Sequence, residues 1–379
     1  MLLYIFAFFC VLAVYFLFPQ GKYSSYVLFF ELLLLALFVG MSDMLGGYDR
    51  YIYADLFDSM ANETMAGNNP WLSESFYFYK GEFGYGTLSA LITFFTANRY
   101  IFILIVTLII YLLLFLSLKK YTENYSFAVI LFMGLWFFFT FTYLRQVLAA
   151  ATAWLAVRYI ITRDFKKFLL VWLIAYSFHN SALVFFPMYF VPMKKYSLPF
   201  VYRILFVAFI LGLTPIPRII FETYGEIDSF RVGVEHYVDQ GTFRFAYLLE
   251  VLFFMYFISL YYKKIPQHPF NITMLNLALV FCIIMLVFIR SENGGRLSWY
   301  YLIGIISTMT TLSVDKKRLT GTGKVMIVIC FLLYYRILLY WGGLITPYKS
   351  FLSDGHREHD PIFQKYEYDY NYDLDKFYR

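Results

Sequence analysis

One apolar stretch, interrupted by a single arginine, constrains the fold of this chain more than any other feature. Residues 126–157 are almost entirely apolar, and Arg145, followed by Gln146, is the charged residue that breaks them. A helix crosses a bilayer in about 20 residues, so this stretch is too long for one span and fits two spans that meet at Arg145. The guanidinium would then lie at the tip of a membrane hairpin, in the first turn of an alanine-rich helix.

Two interpretations of Arg145 follow from this position. The free N–H groups and the dipole of a helix N-terminus favour anions, and an arginine there can bind phosphate or carboxylate. Alternatively, Arg145 ends the first helix at the water interface and extends its charged group into solvent. The apolar stretch by itself supports both interpretations equally.

The composition predicts an all-α, polytopic membrane protein. Of the 379 residues, 61% are hydrophobic and 15% are charged, whereas a soluble domain carries about 25% charge. The net charge of +6 does not indicate nucleic-acid binding, because most basic residues lie in short loops between spans, where they set topology. Cys10, Cys282 and Cys330 lie in apolar spans, which argues against a disulfide framework or a metal site.

The alternation of apolar and charged segments predicts about twelve crossings within a transmembrane domain of residues 1–341. Acidic residues place 42–99 and 218–244 outside as the two larger loops, with a shorter outer turn at 290–298. Residues 84–96 are too short to span and are expected to form a re-entrant or interfacial helix. The polar tail, residues 342–379, is rich in Tyr and Asp, and we expect it to be loosely ordered.

A second hairpin is predicted around His179. If residues 168–192 crossed the membrane once, the later basic loops would lie outside and the acidic loop 218–244 inside, against the positive-inside rule. A hairpin restores the rule, and its middle falls at residues 179–181.

This topology gathers the unusual polar residues at the outer face. Several arginines near one membrane face suit an anionic headgroup such as a pyrophosphate, and His179 or Asp49 could act as general base on a sugar hydroxyl. Alternatively, loop arginines pair with acidic loop residues, as we expect for Arg218, Arg231 and Arg244. Besides the two bases, the predicted substrate-binding residues are Arg145, Gln146, Arg290, Arg296, Arg50, Tyr53 and Asn180.

Other chemistries find little support in the sequence. The segment Gly321-Thr322-Gly323-Lys324 lacks the spacing of a phosphate-binding loop, and no Cys/His cluster has metal-ligand spacing. Glu31 is nearly alone as an intramembrane carboxylate, which weakens a pump or a coupled transporter. We therefore expect neither a cofactor nor a metal.

Three ordered motifs resemble the EpsG family of bacterial polysaccharide polymerases, which is related to the Wzy-type O-antigen polymerases. They are Gly47-Tyr48-Asp49-Arg50-Tyr51 (a Gly-x-Asp signature), Arg145-Gln146-Val147-Leu148-Ala149 (an Arg-Gln helix start) and Phe178-His179-Asn180-Ser181-Ala182 (a Phe-His-x-Ser-Ala motif). Residues 290–300 resemble an arginine-bearing outer turn, and the order of spans agrees over about residues 1–340. The chain departs from the family at Ser42 and Asp43, where an arginine is usual.

The resemblance implies a metal-independent glycosyltransferase of the bacterial inner membrane, with its active face outside, that serves exopolysaccharide or capsule synthesis. Such an enzyme transfers a growing glycan from undecaprenyl pyrophosphate to another lipid-linked repeat unit. Its partners would be undecaprenyl-pyrophosphate-linked oligosaccharides and the lipid bilayer, and no nucleic acid. A chain-length regulator and a flippase are further candidate partners. Two rival functions stay open: a flippase or exporter of lipid-linked oligosaccharide, and an O-antigen ligase or membrane acyltransferase.

Overall fold

The computed structural model describes residues 1–217, 219, 242–291, 293–315, 318–353 and 370–379. These residues fall into two compact units. The first unit comprises Met1–Ala151, Ser177–Asn180 and Val325–Arg379, and the second comprises Thr152–Tyr176 and Ser181–Lys324. Most of the predicted outer loop 218–244, including Arg218 and Arg231 with their expected ion pairs, lies outside the described residues.

Helices make up most of the described chain. A short antiparallel ladder pairs β1 (Val314–Asp315) with β2 (Arg318–Leu319). Short 3-10 helices cover Gly21–Tyr23, Pro70–Leu72, Lys80–Glu82, Phe137–Phe141, Asn180–Phe190, Tyr262–Lys264, Trp299–Tyr301 and Gly342–Leu344. In chain order the α-helices are α1 (Leu2–Leu17), α2 (Ser25–Gly40), α3 (Tyr48–Met65), α4 (Glu74–Phe78), α5 (Phe83–Thr93), α6 (Arg99–Tyr121), α7 (Tyr125–Leu135), α8 (Leu144–Ile161), α9 (Phe165–Phe178), α10 (Leu198–Leu213), α11 (Phe245–Leu260), α12 (Pro269–Val287), α13 (Asn293–Ser298), α14 (Leu302–Ser313), α15 (Gly321–Trp341) and α16 (Asn371–Leu374).

The helices confirm an all-α membrane protein, although they do not confirm the predicted count of twelve crossings. Among the described residues, four helical segments are long and apolar enough to span: α6, α8, α12 and Gly321–Leu344. Five further apolar helices have 10–17 residues, namely α1, α2, α7, α10 and α11. Some predicted spans are interrupted, since the apolar run that begins as α7 continues after Trp136 as the 3-10 helix Phe137–Phe141.

Asparagine side chains start two of the helices of the first unit. The Asn98 side chain accepts from the backbone N–H groups of Tyr100 and Ile101 at the start of α6, and Asn124 accepts from the N–H of Phe127 in α7. Each asparagine thereby satisfies N–H groups that the helix itself leaves without a partner. The short interfacial or re-entrant helix predicted at residues 84–96 corresponds to the eleven-residue helix α5, Phe83–Thr93.

The described start of the polar tail, residues 342–353, packs against the N-terminal part of the same unit, whereas the prediction expected the tail to be loosely ordered. The ring of Tyr348 stacks on Phe38, with centroids 4.3 Å apart. The backbone N–H of Asp43 donates to the carbonyl of Lys349 at 2.9 Å. These contacts join residues 342–353 to the end of α2 and to the segment that follows it.

The final ten residues, 370–379, are also held by specific contacts. Lys376 is 5% exposed, lies 3.5 Å from the Asp43 carboxylate and donates to the Tyr100 hydroxyl at 3.0 Å. Arg379 donates to the Asn62 side chain at 2.9 Å. The prediction of a loosely ordered tail is therefore wrong for these residues, because Asp43, Asn62 and Tyr100 bind their side chains.

A buried ion cluster lies beside this docked terminus. Arg99, at 2% exposed, pairs with Asp58 and with Asp55, the latter at 3.2 Å, and its guanidinium lies 4.7 Å from the centre of the Tyr372 ring. Burial raises the pKa of the Asp55 carboxyl to about 6, although Arg99 acts in the opposite direction.

The predicted hairpin around His179 is confirmed. Helix α9 ends at Phe178 and the 3-10 helix Asn180–Phe190 returns alongside it. The Arg163 guanidinium at its base donates to the carbonyls of Tyr189 and Val191 at 2.6 and 3.0 Å. These hydrogen bonds bring the two ends of the hairpin together, so the chain reverses at His179.

Helix α12 is central to the second unit, where it packs against α10 and α14. Glycines permit the close approach of these helices. A Cβ atom at Gly304 would lie 2.6 Å from the backbone nitrogen of Ala278, and one at Gly212 would lie 2.9 Å from the carbonyl of Val287. Larger side chains at these two positions would force the helices apart.

Candidate functional site

The first-turn arginine of α8 is paired with a buried carboxylate of the first polar segment, residues 42–99. Nη1 of Arg145 lies 2.6 Å from Oε2 of Glu82, and the two side chains are 25% and 6% exposed. Glu82 ends the 3-10 helix Lys80–Glu82 and immediately precedes α5. The guanidinium predicted to bind an anion therefore binds an oxyanion supplied by the chain itself.

Tyrosine rings surround this ion pair. The Arg145 guanidinium lies 5.2 Å from the centre of the Tyr53 ring and 5.7 Å from that of Tyr79, and it is hydrogen-bonded to Tyr53. Tyr85 packs against both rings, at centroid distances of 5.8 and 5.4 Å. Burial raises the pKa of Tyr79 and of Tyr85 above the ordinary tyrosine value, so both phenols are neutral at physiological pH.

The tip of the His179 hairpin lies against the same carboxylate. Nδ1 of His179 is 3.6 Å from Oε1 of Glu82, and the backbone N–H of Asn180 donates to that oxygen at 3.4 Å. His179 and Asn180 are 8% and 4% exposed. Glu82 thus faces Arg145 with one oxygen and the histidine loop with the other. Arg145, Glu82, His179, Tyr53 and Tyr79 are called the Arg145 cluster below.

A glycine sets the distance between the hairpin tip and the start of α5. A Cβ atom at Gly84 would lie 2.8 Å from Cβ and 3.0 Å from the carbonyl carbon of Ser177, closer than side chains normally approach. Gly84 follows Glu82 by two residues, and Ser177 precedes His179 by two. The absence of a side chain at Gly84 therefore allows Glu82 and His179 to meet.

Two buried donors around the cluster are not used within the described part of the chain. Nε of Arg145 and the hydroxyl of Tyr85 are shielded from solvent and have no hydrogen-bond partner there. Buried polar groups normally find partners, and those that do not often mark a functional site. Together with the Arg145 guanidinium, these donors could bind an oxyanion that has several acceptor atoms.

The signature loop around Asp49 contains Arg50, whose side chain is hydrogen-bonded within the protein. Arg50 is 1% exposed and donates to Ser42 Oγ at 2.6 Å and to the carbonyls of Leu45 and Val39 at 2.9 and 3.1 Å. Burial lowers the pKa of Arg50 to about 10. Arg50 therefore closes the loop after α2, and its predicted role as a substrate ligand stays a prediction.

Of the other residues predicted in this part of the chain, Tyr53 is brought to the Arg145 cluster. Asp49 is half-buried in the first turn of α3, one turn before Tyr53, and Gln146 is buried beside Arg145 in α8. Their predicted roles as base and substrate ligand stay predictions.

The two remaining predicted arginines belong to the second unit. Arg290 is exposed and donates to the carbonyl of Leu213 at 3.3 Å, and Arg296 is half-buried in the short helix α13. Their participation in a common anion site with Arg145 stays a prediction.

Glu82 and Tyr79 of the Arg145 cluster, and the neighbouring Tyr85, are absent from the sequence-based prediction. Glu82 is one of many acidic residues in the first polar segment, and nothing in its local sequence distinguishes it strongly. A weak signal exists, because Glu82 stands directly before the apolar helix α5 between two glycines, Gly81 and Gly84. Within the described ranges, no group of three His, Cys, Asp or Glu residues could hold a metal ion.

The fold and this cluster define an all-α membrane protein that carries an arginine–carboxylate–histidine arrangement at a helix start and a hairpin tip. A family model described as the EpsG family matches residues 25–350, and the chain belongs to this family. Searches of curated proteins and of solved structures found no match. The family match includes the whole Arg145 cluster and stops before the docked terminus, residues 370–379.

Proposed function

We propose that this protein is an envelope polysaccharide polymerase, a glycosyltransferase that joins undecaprenyl-pyrophosphate-linked repeat units at the outer face of the bacterial inner membrane. Membership of the EpsG family supports polysaccharide synthesis as the general role. The single observation that carries the proposal is the meeting of Arg145, Glu82 and His179. It combines an anion-binding group and a base, which a glycosyl transfer from a pyrophosphate carrier needs.

In this proposal Arg145 binds the pyrophosphate of the donor lipid. The bond from the sugar to the pyrophosphate breaks with its electron pair on the leaving group, so negative charge grows there in the transition state. A planar guanidinium can bind two phosphate oxygens at once, and the Tyr53 and Tyr79 rings fix its orientation. Because a cation in place before the reaction need not reorganise, it stabilises the transition state more than the ground state.

His179 is the proposed base that accepts the proton of the acceptor hydroxyl. Its side chain lies at the hairpin tip beside the Glu82 carboxylate, which can stabilise the imidazolium formed when the proton arrives. No nucleotide is required, because the donor already carries its leaving group.

The test is the length of surface glycan in a deletion strain that expresses single variants. Arg145→Ala and His179→Ala are each expected to lower chain elongation about 100-fold, so that single repeat units replace the ladder on a gel. Arg158→Ala is a matched control, since Arg158 is an exposed arginine of the same helix. His268→Asn is the second control, because His268 is exposed and asparagine preserves its role as helix cap.

The product distinguishes the rival functions. A normal ladder in both variants, with normal membrane insertion, would contradict the proposed polymerase. Repeat units that accumulate on the cytoplasmic leaflet would indicate a flippase or exporter. Full-length glycan that stays on the carrier lipid, because it is not transferred to a further acceptor, would indicate an O-antigen ligase.

A further inference from the structure

We infer that Glu82 is a carboxylate exchanged between Arg145 and His179, so that binding of the donor pyrophosphate to Arg145 releases Glu82 to pair with the base. This inference rests on the proposed function and adds to it a positioning residue and an order of events. The transfer machinery would become complete only when a donor is bound.

The two contacts of Glu82 differ in strength. The pair with Arg145, at 2.6 Å, is as short as a charge-assisted hydrogen bond. The 3.6 Å distance between Oε1 of Glu82 and Nδ1 of His179 is too long for a hydrogen bond. The two atoms must approach by about 0.8 Å to form one. The structure therefore shows a carboxylate that is bound to the arginine and lies next to the histidine.

Charge favours the exchange when a pyrophosphate arrives. A pyrophosphate carries more negative charge and more acceptor oxygens than a carboxylate, and Arg145 can bind it in a bidentate manner. The buried Nε of Arg145 and the hydroxyl of Tyr85, both unused within the described residues, add donors for those oxygens. Repulsion between the pyrophosphate and the Glu82 carboxylate then favours movement of Glu82 towards the positive partner that the reaction creates.

That positive partner is the imidazolium of His179. The acceptor hydroxyl oxygen forms a bond to the anomeric carbon of the donor as the bond from this carbon to the pyrophosphate breaks. The electron pair leaves with the pyrophosphate, and the hydroxyl proton passes to Nε2 of His179. Glu82, bound at Nδ1, orients the ring for this transfer and stabilises the charge, after which the proton is lost to solvent.

The surroundings of Glu82 are compatible with a small displacement. No atom lies within 4 Å of a Cβ built at Gly81, so the residue before Glu82 is open on that side. The N–H of Asn180, next to His179, already donates to the oxygen of Glu82 that would approach the ring. Rotation of the carboxylate can thus shorten the distance to His179 while this backbone contact is kept.

The first experiment measures binding of inorganic pyrophosphate to the purified full-length protein in nanodiscs. Glu82→Gln removes the competing charge and keeps the shape, so the dissociation constant should fall about tenfold, the effect of losing one charge-assisted competitor. Arg145→Ala should abolish binding. Glu63→Gln is the matched control, because Glu63 lies in the same polar segment and accepts a hydrogen bond from Asn68 at an exposed site. Weaker or unchanged binding in Glu82→Gln would overturn the exchange with Arg145.

The second experiment measures elongation of a lipid-linked repeat unit by the same preparations. Glu82→Gln should lower kcat about 100-fold without raising KM for the donor. In the His179→Ala background, Glu82→Gln should lower kcat by less than threefold, because the two residues act as a unit. A full additional 100-fold loss in that background would overturn the coupling to His179.

The two experiments separate this inference from the proposed function. If wild-type protein binds pyrophosphate and Glu82→Gln binds it more tightly, yet no elongation occurs in the wild type, the polymerase proposal fails while the competition at Arg145 stands. If wild type elongates and Glu82→Gln matches it in kcat, the polymerase stands and the inference about Glu82 fails.

Discussion

Replacing Gly84 with alanine would test whether the contact between Glu82 and the histidine hairpin matters for activity. The added Cβ would lie 2.8 Å from Cβ and 3.0 Å from the carbonyl carbon of Ser177, and ordinary contact begins at 3.4 Å. Ser177 must therefore retreat by about 0.4–0.6 Å, and because one contact is to its backbone, rotation of a side chain cannot relieve it. His179, two residues away, would move with it and away from Glu82.

The expected result is a large loss of activity with a smaller loss of stability. Misplacement of a reacting group by about 1 Å can cost on the order of 100-fold in rate, and overpacking costs about 1–3 kcal/mol. We therefore expect Gly84→Ala to lower elongation between about 10- and 100-fold. Pyrophosphate binding should change little, since Arg145 is not displaced. The assay is elongation of a lipid-linked repeat unit in nanodiscs, with thermal unfolding of the same sample.

The matched control is Gly81→Ala, three residues earlier. A Cβ there meets no atom within 4 Å, and neither glycine has the left-handed backbone that would itself disfavour alanine. Adding Ser177→Gly to Gly84→Ala removes the Cβ contact and leaves the backbone one at 3.0 Å, so activity should recover in part. Equal activity of Gly84→Ala and Gly81→Ala would refute the reasoning.

Two further predictions concern the docked terminus. Because Lys376 is buried against Asp43 and Tyr100, Lys376→Met should destabilise the protein by about 3 kcal/mol, whereas Lys376→Arg should destabilise it less. Thermal unfolding in detergent measures both variants. Equal melting temperatures would contradict the buried pairing. Burial raises the pKa of Asp55 to about 6, so its protonated form stabilises the fold at low pH and this stabilisation is lost as pH rises through 6. At pH 7.5 the free energy of unfolding of Asp55→Asn should therefore exceed that of wild type by about 1 kcal/mol, and the variant should unfold at a higher temperature. The difference should shrink below pH 6. Arg99 keeps Asp58 as its partner in the variant.

Local sequence patterns were sufficient to predict the break at Arg145 and the reversal at His179. A charge inside an apolar run, and basic loops that must share one side of the membrane, act over short distances along the chain. The family motifs then indicated which of the polar residues belong together. Tyr53 was found for the same reason, since helical spacing places it on the face of α3 that also carries Asp49.

The partners of these residues could not be predicted in the same way. Glu82 is one of several carboxylates in residues 42–99, and only tertiary contact shows which of them meets Arg145. Arg50 is a second example, because its motif did not reveal that its guanidinium donates to the carbonyls of Val39 and Leu45. Hydropathy could not predict the number of spans, because it reports composition and does not report where a helix tightens into 3-10 turns, as after Trp136.

The docked terminus has a consequence for how the protein is made. The segment that carries Tyr53 and Glu82 is synthesised about 300 residues before Lys376 and Arg379, which bind it through Asp43 and Asn62. During translation the first polar segment therefore cannot make these contacts until residues 370–379 have been synthesised. A nascent chain that stops short of residue 370 would insert its helices and still lack the support on which this segment rests.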